Sequence, residues 1–115
     1  MTETSVEKRN QNKAPEVEMG QNYLVSGEKV SMRLWQDEAP NGEPKPTTQR
    51  DYETIGYVLR GKAELHVDGE MKTLNPGDSW VVPEGMPHTY RILETFSAIE
   101  ATSPPARFHQ RDAVE

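Results

Sequence analysis

The stretch from Gly77 to His88 constrains the fold of this chain more than any other part of the sequence. Glycine tolerates positive φ, so Gly77 and Gly85 each indicate a tight turn. The segment between them, Trp80-Val81-Val82, is an aromatic and β-branched run of the kind that forms strands. A further run of strand-forming residues begins at His88, and side-chain alternation places His88 and Tyr90 on the same face. The stretch therefore predicts turn, strand, turn and strand in succession.

Short candidate strands separated by turn residues make up most of the remaining chain. They cover residues 23–25, 30–35, 54–59, 63–67, 71–74 and 96–101. Alternation within 30–35 puts Ser31, Arg33 and Trp35 on one face. Gly61 indicates a turn, and Asp68-Gly69 indicates a type I′ hairpin. Because no segment has a helical period, the pattern predicts an all-β sandwich or barrel with essentially no helix.

The length and composition predict one soluble domain. A chain of 115 residues suits a single domain, which we expect at residues 17–105, between a flexible polar arm (1–16) and a polar tail (106–115). The net charge of −6 argues against a nucleic-acid partner, and no apolar run is long enough to span a membrane. The first nine residues lack the apolar core of a signal peptide, and no cysteine is present for disulfides. We therefore expect a cytoplasmic protein.

The stretch described first resembles the second sequence motif of the cupin family, G-x5-P-x-G-x2-H-x3-N. Gly77, Pro83, Gly85 and His88 fall at its spacing, and Ile92 stands where the family has asparagine. The resemblance covers residues 47–104 and implies a cupin-type jelly-roll β-barrel (a double-stranded β-helix) with a pocket between two antiparallel sheets. By analogy it also implies a homodimer, to which the apolar segment 23–25 would contribute a crossing strand.

The resemblance also implies a first motif, H-x-H-x3-(E or Q)-x6-G, whose side chains join the histidine of the second motif on a divalent metal. With Gly61 as its final glycine, the positions of its three ligands are held by Thr48, Arg50 and Thr54. Of the metal ligands only His88 remains, unless a bulge turns Glu53 inward. We therefore predict no cofactor, with a divalent transition metal held through His88 as the alternative.

The residues that replace the ligands predict a different kind of pocket. The expected ligand-binding residues are Thr48, Arg50, Thr54, His88 and Tyr90. Arg50 is a permanent cation whose planar fork suits carboxylates and phosphates, which favours a small polar or anionic ligand. Each residue also has a plain structural interpretation: Arg50 as the partner of a nearby acid, His88 as a buried histidine held by a neighbour, and Tyr90 as a packing aromatic.

Three functions are compatible with these residues. The first is a metal-free binding module for a small polar or anionic molecule. The second is a metal-independent enzyme of the isomerase or epimerase kind, with His88 as catalytic base and Tyr90 as acid. The third is a metal-dependent, dioxygenase-like enzyme with a rearranged site. The sequence leaves open whether the protein catalyses a reaction.

Overall fold

The computed structural model describes residues 21–106, and this part of the chain contains strands, turns and loops but no helix, hence none that could cross a membrane. Its strands are β1 (Gln21–Ser26), β2 (Ser31–Glu38), β3 (Glu53–Val67), β4 (Glu70–Leu74), β5 (Ser79–Val82) and β6 (His88–Ser103). The expected arm at 1–16 and all of the expected tail except Ala106 lie outside the described residues, so these boundaries remain predictions. Ala106 itself is buried, and its N–H lies 2.9 Å from the Thr102 hydroxyl.

The strands form one antiparallel sheet that closes into a barrel. Its order is β1-β2-β6-β3-β4, and β5 also pairs with β3. The first part of β3 pairs with β5 and its last part pairs with β4. The rings of Trp80 on β5 and Tyr90 near the start of β6 have centroids 6.3 Å apart, so β5 and the first part of β6 face each other across the interior. This arrangement is the predicted all-β jelly-roll barrel.

Gly61 is a bulge and not the predicted turn. The sequence suggests two short strands around it, whereas β3 runs through this position without a break. Gly61 has φ of 87°, and the pairing of β3 with β6 shifts register between Val58 and Ala63. A Cβ atom here would collide with the main-chain carbonyl of Thr95 on β6, so glycine lets both strands bend while they stay paired. The two strands predicted within residues 88–101 likewise form the single strand β6.

The other turns have the predicted chemistry. Asp68 and Gly69 both have positive φ, as a type I′ hairpin requires. Gly77 and Gly85 also have positive φ, of 90° and 80°, at the two turns that bracket β5. These turns determine where β5 ends and where β6 begins, and so they position His88.

The interior combines an aromatic core with polar side chains. Trp35 makes edge-to-face contacts with Tyr90 and Phe96, at centroid distances of 5.1 and 5.8 Å. As the alternation in β2 predicted, Trp35 shares the inner face with Ser31 and Arg33, and all three side chains are buried. The barrel therefore encloses a charged group beside its core.

Candidate functional site

The segment that leads into β3 presents alternate residues to the interior. Tyr52 and Thr54 are 3% exposed, and Thr48 and Arg50 are half-buried. The residues between them, at positions 49, 51 and 53, are exposed. Glu53 therefore points outward, and the alternative in which a bulge turns it inward is wrong. Thr54 lies at the inner position that the motif alignment assigned to it.

Backbone hydrogen bonds bring three predicted site residues together. The N–H of Thr48 donates to the carbonyl of His88 at 2.8 Å, and the N–H of His88 donates back to Thr48 at 2.9 Å. The N–H of Gly85, in the turn before His88, donates to the carbonyl of Arg50 at 2.8 Å. The turn glycine of the second motif thus holds Arg50 next to the start of β6. None of these bonds depends on the side chains of Thr48 or Arg50, because all of them join backbone atoms.

The Thr48 hydroxyl is an unsatisfied polar group. Its Oγ1 is buried and makes no hydrogen bond to any residue in the described part of the chain. Buried hydroxyls in proteins are normally paired with protein groups or with ordered water. The position therefore has the capacity to hydrogen-bond a water or a ligand atom close to the backbone of His88.

The surroundings of His88 favour a neutral imidazole whose Nε2 can accept a hydrogen bond. It is 7% exposed, and its Nδ1 lies 3.0 Å from the carbonyl oxygen of Met86. Burial lowers the pKa of His88, and this effect outweighs the raising effects of the Met86 carbonyl and the Glu100 charge; the positive charges of Arg33 and Arg50 add smaller lowering effects. Since a carbonyl only accepts, the single proton of the neutral ring belongs on Nδ1, and Nε2 is left as an acceptor.

A buried ion pair adds two residues that the sequence analysis did not assign to the site. The Nη2 of Arg33 lies 2.8 Å from Oε1 of Glu100, and these side chains are 6% and 0% exposed. Nη1 of Arg33 also donates to the hydroxyl of Tyr52 at 3.0 Å. Alternation in β2 placed Arg33 on one face with Ser31 and Trp35, but it did not indicate that this face is the inner one. The partner of Arg33 is also 67 positions away along the chain. Only the register of β2 against β6, in which these two residues lie opposite each other, reveals the pair.

Tyr90 lies within the aromatic core. It is 1% exposed, and its hydroxyl accepts a hydrogen bond from Nε1 of Trp80 at 3.2 Å. Burial, together with the charge of Glu100, raises the pKa of Tyr90 far above its usual range, so the phenol keeps its proton. These contacts agree with the interpretation of Tyr90 as a packing aromatic. A catalytic role for Tyr90 stays a prediction.

The residues at this site do not fit the metal that the motif resemblance implies. Thr48, Arg50 and Thr54 occupy the positions of three ligands, and within residues 21–106 no three histidine or acidic side chains lie close enough together to hold a metal ion. Arg33 and Arg50 also act on His88 as positive charges, against one negative charge from Glu100. A cation at this site would be repelled by the guanidinium of Arg50, which stands at one of the ligand positions.

We expect the stability of the protein to depend on the titration of His88. Because its folded-state pKa lies below 6.5, the unfolded chain takes up the proton first as the pH falls. The stability that neutral His88 contributes is fully present above pH 6.5 and is lost as the pH falls from there through the folded-state pKa. Denaturant unfolding at about pH 8 and about pH 5 should therefore show a smaller loss of unfolding free energy for His88→Gln than for the wild type.

His66 provides the control for this measurement. It lies on the outer side of β3, where its Nε2 is 3.0 Å from Oε1 of Glu64 and its side chain is 37% exposed. His66→Gln controls for the general effect of replacing a histidine by glutamine, because it removes an imidazole outside the barrel. Equal losses in the wild type and in His88→Gln would contradict the assignment of a buried neutral imidazole at position 88.

Comparisons with known proteins agree with the geometry. A family model described as a cupin domain matches residues 34–110. An uncharacterized protein from Aquifex aeolicus (strain VF5) is 33% identical over 69 residues, which cover 60% of this chain and 56% of that protein. The match thus spans little more than half of that relative's length.

Solved structures show the same fold at low sequence identity. An RmlC-like cupin from Shewanella frigidimarina NCIMB 400 has a TM-score of 0.73 at 20% identity, covering 90% of this chain and 95% of its own. KdgF from Halomonas sp. has a TM-score of 0.71 at 24% identity, covering 88% and 94%. The family match extends over most of the barrel and includes the turn, strand and histidine of the second motif. The chain belongs to the cupin family.

Proposed function

We propose that this protein binds a small polar or anionic molecule inside its barrel without a metal ion. The observation that carries the proposal is the buried Thr48 hydroxyl, which has no hydrogen-bond partner in the described part of the chain and belongs to a residue whose backbone pairs with that of His88. An unsatisfied buried polar group costs about 1–3 kcal/mol. A bound oxygen atom would remove this penalty, so the site favours a ligand with oxygen functions.

The charges around His88 support an acidic ligand. Arg33 and Arg50 act on the imidazole as positive charges, and Glu100 acts on it as a negative charge. Arg50 offers a planar donor fork, which forms charge-assisted hydrogen bonds with carboxylates and phosphates. Thr54, buried on the same inner row, offers a further hydroxyl. A ligand that carries an alcohol beside its acid group could also donate to Nε2 of His88, which suits hydroxy acids.

The second candidate is a metal-independent enzyme of the isomerase or epimerase kind. The lone pair on Nε2 of His88 favours it, because a neutral imidazole is a competent general base near neutral pH. Tyr90 is the proposed acid, and it retains its proton. In the third candidate, a dioxygenase-like enzyme, His88 would contribute one ligand to a rearranged metal site. Turnover assays with small hydroxy acids distinguish the enzymes from the binding module.

Ligand titration and elemental analysis of the same preparation test the main proposal. We expect phosphate, small carboxylates or hydroxy acids to give saturable heat in isothermal titration calorimetry, and protein purified without chelator to carry no stoichiometric divalent metal. A near-stoichiometric metal that is lost in His88→Ala but kept in His66→Ala would overturn it, as would the lack of saturable binding by all these acids.

The cytoplasm is the proposed compartment. This expectation comes from the charged, cysteine-free composition, and cell fractionation tests it.

A further inference from the structure

The indole of Trp35 carries a buried hydrogen-bond donor that the described part of the chain does not use. Trp35 is 0% exposed, and its Nε1 makes no hydrogen bond to any group within residues 21–106. The other tryptophan, Trp80, donates from its Nε1 to the Tyr90 hydroxyl at 3.2 Å. Buried tryptophan N–H groups usually find a partner, and an unsatisfied one lowers stability. The position therefore has the capacity to bind an acceptor atom of another molecule.

Trp35 belongs to the same group of interior side chains as the predicted ligand site. Its ring makes an edge-to-face contact with the ring of Tyr90, with centroids 5.1 Å apart. The ring of His88 makes the same kind of contact with Tyr90, with centroids 5.7 Å apart. One aromatic side chain thus contacts both the unused donor residue and the histidine of the site.

Tyr90 offers a second donor beside Trp35. Within residues 21–106 its hydroxyl makes one hydrogen bond, in which the oxygen accepts from Trp80. Because the phenol keeps its proton, the O–H group can still donate. Two neutral donors on neighbouring rings favour an oxygen acceptor at this place.

The charges near these donors favour a neutral oxygen over a second acid group. Burial raises the pKa of Tyr90, and the negative charge of Glu100 raises it further, by more than Arg33 lowers it. The Glu100 side chain is 0% exposed, so water screens its charge little. The same charge would repel a carboxylate beside Tyr90, whereas a carbonyl or hydroxyl oxygen accepts a hydrogen bond without this repulsion.

We propose that Trp35 is a specificity-determining residue of the ligand site, and that its indole N–H donates to a neutral oxygen of the bound acid. This inference rests on the proposed function, because it takes the acid group of the ligand to lie at Arg50. It narrows the ligand class to acids that carry a carbonyl or hydroxyl oxygen away from the acid group. An acid with a wholly apolar chain would leave the Trp35 donor unsatisfied and should bind less tightly.

A matched pair of acids tests the inference. Levulinate and pentanoate have the same carbon chain and differ only in a ketone group. In calorimetric titrations of the full chain, Trp35→Phe should shift the ratio of the two dissociation constants at least about 5-fold toward pentanoate, the effect of one net hydrogen bond. Trp80→Phe is the matched control, because it removes an indole whose N–H is already paired, and it should keep the ratio of the wild type. An unchanged ratio in Trp35→Phe, or an equal shift in Trp80→Phe, would overturn the inference.

Nitrogen-15 NMR of the wild type tests the contact even if Trp35→Phe does not fold. The chain has two tryptophans, so comparison with Trp80→Phe assigns the indole signal of Trp35. Saturation with levulinate should move the Trp35 indole proton to lower field, as a new hydrogen bond does, and saturation with pentanoate should not. Levulinate binding with a stationary Trp35 signal would overturn this inference and leave the proposed function in place. A lack of saturable heat with every acid tested would overturn both.

Discussion

Arg33→Leu is expected to lower the free energy of unfolding by about 3–5 kcal/mol, the usual effect of removing one partner of a buried ion pair. The substitution leaves the carboxylate of Glu100, with its side chain 0% exposed, in the barrel interior without its 2.8 Å contact to Arg33. It also removes the hydrogen bond from Arg33 to the Tyr52 hydroxyl. Denaturant unfolding with matched m-values measures the loss.

A double variant separates the loss of the pair from the loss of packing. In Arg33→Met/Glu100→Leu both charges are replaced by apolar groups, so no uncompensated charge stays buried. It should be more stable than Arg33→Leu by at least about 2 kcal/mol. The surface pair of Arg60 with Asp37, whose side chains are 66% and 53% exposed, is the control, and Arg60→Leu should change stability by at most about 1 kcal/mol. A double variant no more stable than Arg33→Leu would show that the charges are not the cause.

Arg50→Ala is expected to weaken the binding of a small acid by about 2–5 kcal/mol, the range for truncating one partner of a buried charge pair. The variant loses the guanidinium that the proposed ligand would contact. It keeps the backbone carbonyl of Arg50, to which Gly85 donates, so the turn before His88 should retain its geometry. Calorimetric titration of the wild type and the variant with the same acid gives the difference.

Two further variants test whether the lost affinity of Arg50→Ala comes from its guanidinium group. Arg50→Lys keeps the charge but loses the planar fork, and it should bind with intermediate affinity. Arg60→Ala removes an exposed arginine from outside the barrel and should bind like the wild type. If Arg50→Ala bound the acid as tightly as the wild type, the ligand would not contact Arg50, and the structural interpretation of this residue would gain support.

Much of the local structure could be predicted from the sequence because it depends on neighbouring residues. The turns at Asp68-Gly69, Gly77 and Gly85 require positive φ, which glycine and aspartate tolerate better than most residues. The residue types therefore indicate these turns directly. Alternation correctly placed Arg33 and Trp35 on the same face of β2, and the structure shows that this face is the inner one. Counting along the chain placed threonines and an arginine, in place of metal ligands, at inner positions before and within β3. The all-β class and the position of His88 follow from these local rules.

Only the tertiary structure decided how these elements meet. A glycine suits both a turn and a bulge, so the residue type at Gly61 does not distinguish them. The close approach of Thr95 on β6 determines that Gly61 forms a bulge. The ion pair of Arg33 with Glu100 and the exchange of backbone hydrogen bonds between Thr48 and His88 depend on the register of segments far apart in sequence. Ile55 and Val81 are exposed because no other element within residues 21–106 packs against them. Periodicity and turn chemistry describe which side a residue faces, whereas its contacts are determined by long-range strand pairing, which local patterns do not encode.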